Sequence, residues 1–255
     1  MKGSLTAAIT LCIYGMGIAD RALAIVVRGD APANSILVES IDSPEVVALY
    51  DGRAVGTLID DDWILTAAHV ATYIAQDPAA RTVLIDGQPN LIAEVVLHPS
   101  WDPESLGDPD VFDLALLRLE HTVRAELPVR IYQGREEPNA VVTIVGWGRT
   151  GDGRNPELIR DGRFRRGENK IDEATPRLRF RFDEPGSSRV VRLEAVSGPG
   201  DSGGPAFIEV GGARYLAGIS SFQEDEHSPG VFGVTENYER VSDHIDWIEA
   251  TTGSH

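Results

Sequence analysis

The 255-residue chain has one cysteine, Cys12, two methionines and six histidines, and its 23 Lys and Arg are outnumbered by 40 Asp and Glu. A lone cysteine excludes an internal disulfide and any cysteine-based metal cluster. The formal charge of −17 favours solubility and argues against nucleic acid or anionic lipid as partners. The longest apolar run, Leu5 to Ala19, is 15 residues, short of the roughly 20 that a membrane span needs. The histidines are not at metal-ligand spacing, and the chain carries neither a phosphate loop nor a dinucleotide fingerprint. No cofactor and no metal are therefore expected.

The first 24 residues have the layout of an export signal. Lys2 supplies a positive start, the short apolar run follows, and Ala22-Leu23-Ala24 fits the small-x-small cleavage rule. Cleavage after Ala24 removes Cys12, so the 231-residue remainder has no thiol chemistry, and its charge becomes −18 because Lys2, Arg21 and Asp20 leave as well. A secreted or periplasmic location follows, with no membrane attachment after cleavage.

The remainder reads as β structure. Val55–Ile59, Trp63–Thr66, Val83–Ile85, Ile92–His98, Leu114–Leu119, Val141–Trp147, Leu178–Phe182, Val190–Val196, Ala206–Val210 and Tyr215–Ser220 are rich in branched and aromatic residues and bounded by turn signals. Leu178–Phe182 alternates strictly, as a strand with one buried face does. Gly211-Gly212 between two such runs marks a two-residue hairpin. The one helix expected is terminal, with Ser242 as its N-cap and Ile245, Trp247 and Ile248 behind it. Arg149–Lys170 reads as a long exposed loop, and Gln133–Asn139 as a linker near mid-chain. No internal sequence repeat is evident.

Three segments carry the chemistry. Leu65-Thr66-Ala67-Ala68-His69 ends an apolar run on a histidine, and Asp113-Leu114-Ala115-Leu116-Leu117 opens a strand with an aspartate. Gly198-Pro199-Gly200-Asp201-Ser202-Gly203-Gly204-Pro205 sets one serine among residues with almost no side chains. A serine hydroxyl is a poor nucleophile alone and needs a base and a group that orients that base. His69 and Asp113 meet that need, and the order His, Asp, Ser differs from that of α/β-hydrolases and subtilisins.

With these motifs the chain resembles the chymotrypsin/trypsin-like serine peptidase family, in a bacterial style. Ile144-Val145-Gly146-Trp147-Gly148 is similar to that family's second-barrel opening strand, and Val241–Ile248 to its terminal helix. The resemblance implies an all-β chain: two packed six-stranded antiparallel Greek-key barrels with a C-terminal α-helix. Residues 25–135 would form the first barrel and 136–255 the second plus the helix. It implies a monomeric, secreted endopeptidase acting on protein or peptide substrates. Ser202 would be the nucleophile, His69 the base, Asp113 its orienter, and the N–H groups of Gly200 and Ser202 the oxyanion donors. It also implies that Ser221 supports Asp113, and that a free amino end at Ile25 pairs with Asp201. Signal cleavage would then itself produce the active form.

For the primary pocket the resemblance places Val196 at the base and Ser221, Phe222 and Gln223 along one wall, with Gly230 keeping the opposite wall clear. Val196 stands where a basic P1 side chain would need an acid, so small or apolar P1 residues are expected. Ala54, Val70 and Gly198 replace half-cystines of the vertebrate members. Two other functions fit the same residues: a silent protease fold that serves as a binding module, and an esterase with the same triad.

Overall fold

The structure is a computed structural model that describes residues 25–32, 36–125, 127–155, 157–224 and 229–253. The expected export signal, and Asp225 and Glu226 of the acidic run after Gln223, lie outside the described residues.

The elements follow in the order β1 (Val26–Val27), β2 (Val46–Leu49), β3 (Ala54–Leu58), β4 (Trp63–Thr66), α1 (Ala68–Gln76), β5 (Thr82–Ile85), β6 (Gln88–Leu97) and β7 (Ala115–Leu119). Then come β8 (Arg130–Ile131), β9 (Val141–Gly146), β10 (Arg165–Lys170), β11 (Leu178–Arg181), β12 (Ala195–Val196), β13 (Pro205–Val210), β14 (Ala213–Glu224), β15 (Thr235–Arg240) and α2 (Ile245–Thr252). One sheet runs β2-β3-β4-β7-β6-β5; the other runs β10-β9-β13-β14-β15-β11, with β8 added parallel to β14. When each set of six antiparallel strands is numbered from its own start, both have the cyclic order 1-2-3-6-5-4. The two sheets are thus topological copies, although their sequences share no repeat.

The copies differ in closure. The second sheet nearly closes between β10 and β11, because Asp172 N–H donates to Arg179 O and Arg179 N–H to Glu173 O, both at 2.8 Å. The first is a half-barrel, with no ladder between β2 and β5 among the described pairings. Its core is built from the alternate apolar residues of β2 to β7 and the buried face of α1. The chain ends cross over. β1 pairs with β12 in a separate two-stranded sheet, with Ile25 and Val27 in the core of the second sheet, while Ile248 of α2 joins the core of the first.

Five expectations need correction. A second helix, α1, begins one residue before His69. The last six residues of the supposed exposed loop 149–170 are strand β10, whose polar Arg-Arg-Gly-Glu-Asn-Lys run alternates between buried and half-buried positions. Only Ala195–Val196 of the expected 190–196 strand is extended pairing structure. The mid-chain linker is anchored: Glu137 is fully buried and takes two hydrogen bonds from Arg240, at 2.8 and 2.6 Å. Ser242 does not cap α2 but donates to the same Glu137 at 3.1 Å. Polar strands of this kind escape a reading of hydrophobic periods, because their inward residues are charged and internally paired.

Candidate active site

Each of the three chemistry-bearing residues sits where a regular element ends. β4 delivers Thr66, and the next turn starts α1, placing His69 on its second residue. Asp113 lies two residues before β7. Ser202 lies in the turn between β12 and β13. His69 and Asp113 therefore come from the first sheet and Ser202 from the second.

Asp113 is fully buried, yet its carboxylate is saturated with donors. It accepts from His69 N–H at 2.8 Å, from His69 Nδ1 at 2.7 Å and from Ser221 Oγ at 2.6 Å. Burial alone would push its pKa up, but the His69 charge and these hydrogen bonds hold it below the usual carboxylate range. Burial disfavours the His69 imidazolium, and the Asp113 charge outweighs it, leaving the imidazole pKa above its ordinary value. An anionic Asp113 fixes Nδ1 as the donor and leaves Nε2 as the free base. Ser221 reaches Asp113 because β14 carries a bulge: Ser220 opposes Tyr238 and Phe222 opposes Asn237, with Ser221 as the extra residue. A bulge re-aims a side chain in this way without breaking the sheet.

The serine turn is pressed against the histidine segment. Val55 N–H donates to Ser202 O at 2.9 Å. Gly203 has φ +78°, and a Cβ there would fall 2.1 Å from Thr66 Oγ1 and 2.4 Å from Val55 O. Only glycine permits that approach. Gly200 has φ +103°, and a Cβ there would fall 2.8 Å from Arg160 Nη2 and 3.1 Å from the Gly148 Cα. Among the described residues neither the Gly200 nor the Ser202 N–H is taken by another group.

Asp201 is directed inward. It accepts from Gly148 N–H at 2.6 Å, from Gly198 N–H at 2.9 Å and from Ile25 N at 2.9 Å. Burial still raises its pKa to about 6. Ile25, Val26 and Val27 are buried too, and each such side chain contributes about 1.5–3 kcal/mol to holding this end in place.

Two residues of the site were not foreseen. Glu239 of β15 is fully buried, and its Oε1 accepts from Asp113 N–H at 3.1 Å and from Arg177 Nε at 2.8 Å. Arg177 also donates to the carbonyls of Asp108 at 3.1 Å and of Val111, gripping the loop that leads to Asp113. Both are charged residues far from Asp113 in sequence, and no local signal marks them. Arg177→Met strands a buried carboxylate, so a loss of about 3–5 kcal/mol is expected. Thermal melting would measure it, and the double variant Arg177→Met/Glu239→Leu should recover most of the loss. Melting equal to the parent would show that the pair is not a structural anchor.

Phe222 lies under the Arg177 guanidinium, 5.5 Å from its carbon to the ring centre. Val196 is sealed in an apolar cluster with Val26, Phe182 and Val234. Gly230 N–H donates to Gln223 Oε1 at 3.1 Å, and a Cβ on Gly230 would fall 2.7 Å from Val26 Cγ2. Across from Gln223 in the ladder stands Glu236.

The sequence matches the family model described as Trypsin over residues 38–248. The chain belongs to the trypsin family. This trypsin-family chain is 27% identical to complement C1s subcomponent of Sus scrofa, over 84% of this chain and 34% of that protein, so it spans only a minor part of that relative. It is also 27% identical to an uncharacterized peptidase of Corynebacterium glutamicum (strain R), over 88% of this chain and 74% of that one. The thrombin-like enzyme agkihpin-1 of Gloydius halys is 28% identical, with 80% and 88% covered. The solved structure of neuropsin, a serine protease expressed in the limbic system of mouse brain, aligns with a TM-score of 0.63. It covers 85% of this chain and 98% of neuropsin at 21% identity, a level that speaks to the fold, which is chymotrypsin-like. The family makes the chain a serine endopeptidase of the trypsin type. No helix among the described residues is long and apolar enough to cross a membrane.

Proposed function

We propose that this chain is an exported endopeptidase that cleaves peptide bonds through Ser202, His69 and Asp113. Ser202 Oγ attacks the scissile carbonyl while His69 Nε2 takes its proton. The tetrahedral oxyanion is received by the Gly200 and Ser202 N–H groups. His69 then gives the proton to the leaving amine, and water repeats the sequence on the acyl-enzyme. Asp113 stays ionised throughout and stabilises the imidazolium, with Ser221 holding its second oxygen.

One observation carries this reading: a fully buried carboxylate receives the main-chain N–H and the ring Nδ1 of one histidine within 2.8 Å, beside a serine turn in which the Gly200 and Ser202 N–H groups are unengaged among the described residues. Loss of one oxyanion donor in such a site costs about 2.7–4 kcal/mol of transition-state stabilisation. Small or apolar P1 residues belong to this reading through Val196, whose side chain packs in an apolar cluster with Val26, Phe182 and Val234.

A fluorophosphonate probe tests the proposal. The protein cleaved at Ile25 should label on Ser202 and lose labelling in Ser202→Ala. The reaction needs neutral His69, whose pKa is raised. Labelling should therefore quicken as pH rises through a midpoint above the ordinary histidine value. A folded protein that does not label is a recognition module rather than a peptidase, and a labelled protein that turns over esters but no peptide is an esterase.

A further inference from the structure

One arginine of this acidic chain sits against the serine turn. Arg160 Nη2 lies 2.8 Å from the point that a Cβ on Gly200 would occupy, and the Gly148 Cα and the Arg53 carbonyl lie 3.1 and 3.6 Å from the same point. The room left by the absent Gly200 side chain is thus filled by a guanidinium, an approach that only glycine allows. Gly200 is also the residue whose N–H, with that of Ser202, receives the oxyanion in the peptidase reading.

The chain on either side of Arg160 is tied down. Arg149 N–H donates to Pro199 O at 2.8 Å, which lays residues 149–150 along the serine turn. Thr150 and Ile159 exchange two hydrogen bonds of 3.0 Å, an isolated bridge that brings the stretch before Arg160 alongside. The next residue, Asp161, is gripped by both terminal nitrogens of Arg165 on β10, at 3.1 and 2.9 Å. Thr150 Oγ1 also donates to Ile25 O at 2.6 Å, so the same stretch touches the buried chain end. Arg160 itself is half-buried. A charge partly withdrawn from water acts on its neighbours more strongly than one on an open surface. One neighbour is Asp201: burial raises its pKa, and the Arg160 charge opposes that rise.

We propose that Arg160 is a positioning residue of the oxyanion site, seated against Gly200 so that a fixed positive charge stands beside the two N–H donors. This rests on the peptidase reading above and extends its machinery. As Ser202 Oγ adds to the scissile carbonyl, negative charge moves onto the carbonyl oxygen held by the Gly200 and Ser202 N–H groups. A cation already in place favours that charge without reorganising at the moment of reaction. The carbonyl of the bound substrate is neutral and gains far less, so the effect falls on the transition state rather than on substrate binding. The same guanidinium favours the ionised form of Asp201, whose main chain joins the two donor residues. Arg160 therefore acts through Gly200 and Asp201, from a stretch of chain that the sequence marks only as a polar loop.

The test compares Arg160→Met and Arg160→Lys with the parent, all cleaved at Ile25, on one peptide substrate. Arg160→Met should lower kcat about ten-fold while KM changes by less than about two-fold, and Arg160→Lys should recover most of the loss. A peptide aldehyde, which forms a tetrahedral adduct on Ser202, should bind Arg160→Met about ten-fold more weakly than the parent. The intact peptide should bind the Ser202→Ala protein equally well with and without Arg160→Met. Melting curves of both arginine variants should lie close to the parent's. An unchanged kcat in Arg160→Met overturns the inference, and so does a loss that appears only in KM. A loss that Arg160→Lys does not recover, with melting lowered in both variants, also overturns it and leaves Arg160 a structural residue alone. Fluorophosphonate labelling of the parent keeps the two readings apart. A parent that does not label at Ser202 removes the peptidase reading and this inference with it, whereas a labelled parent with an indifferent Arg160 removes this inference only.

Discussion

Ser202→Ala is expected to lower kcat on any peptide substrate by about 10⁴–10⁶-fold, with His69→Ala close behind and the double variant no worse than the first. The three residues work as one unit. Without the hydroxyl, His69 has no proton to take; without the imidazole, the hydroxyl is not activated. The remaining rate would come from the oxyanion donors and substrate positioning alone. Neither variant should unfold the chain. Ser202 is half-buried, and the hydrogen bond that ties its turn to β3 is made by its main-chain carbonyl, which alanine keeps. His69 contributes a second bond to Asp113 through its main-chain N–H, also retained on substitution. Single-turnover kinetics on one peptide, with melting curves alongside, would check both points. Losses that multiply between the two sites would refute a shared catalytic unit.

A chain still joined at Ala24–Ile25 should be slower than the cleaved one by about 10²–10³ in kcat, the cost of a misplaced oxyanion donor. The cause lies in Asp201. Its carboxylate is buried next to the Ile25 nitrogen, 2.9 Å away, and its own main chain joins Gly200 to Ser202. A peptide N–H at Ile25 brings no charge, and burial lifts the Asp201 pKa to about 6. A free α-amino group, cationic at neutral pH, would supply the missing counter-charge and hold the donors in place. Ile25 also has φ +47°, a left-handed conformation that costs a β-branched residue roughly 1–2 kcal/mol. Cleavage removes that torsion altogether. The sign for stability follows. An acid whose folded pKa is raised loses its stabilising contribution as pH climbs through the folded value, so the uncleaved chain should weaken between about pH 4 and pH 6. The cleaved chain should not. N-terminal sequencing of the exported protein should begin at Ile25, and Asp201→Asn should abolish the advantage of cleavage. Equal activity in joined and cleaved chains would remove the activation step.

Some of this molecule is local enough to be legible in the linear chain. The glycines around Ser202 are there because a turn must press on β3 and β4, and a run of residues without side chains displays that need directly. Gly211-Gly212 does join β13 to β14, and Trp63–Thr66 is a strand to the residue, because period, length and turn chemistry agree there. The order of His69, Asp113 and Ser202 within their motifs pointed to the family before any geometry was in view.

The polar strands were not legible. β10 and β15 carry Arg-Arg-Gly-Glu-Asn-Lys and Thr-Glu-Asn-Tyr-Glu-Arg, and nothing in their periodicity separates them from exposed loops. Their inward charges are tolerated only because partners far along the chain meet them: Arg240 at Glu137, Glu239 at Arg177. The bulge at Ser221 sets the ladder beyond it, so that Gln223 opposes Glu236.

By itself, then, the sequence determined the glycine-rich serine turn, the histidine and aspartate motifs proposed to serve it, and the β character of the chain, since each depends on residues within a few positions of one another. Tertiary structure alone decided the doubled strand order, the burial of Ile25 against Asp201, and the pairing of buried acids with distant arginines. Those depend on which distant backbones lie side by side, and a buried charge reads the same as an exposed one until its neighbours are known.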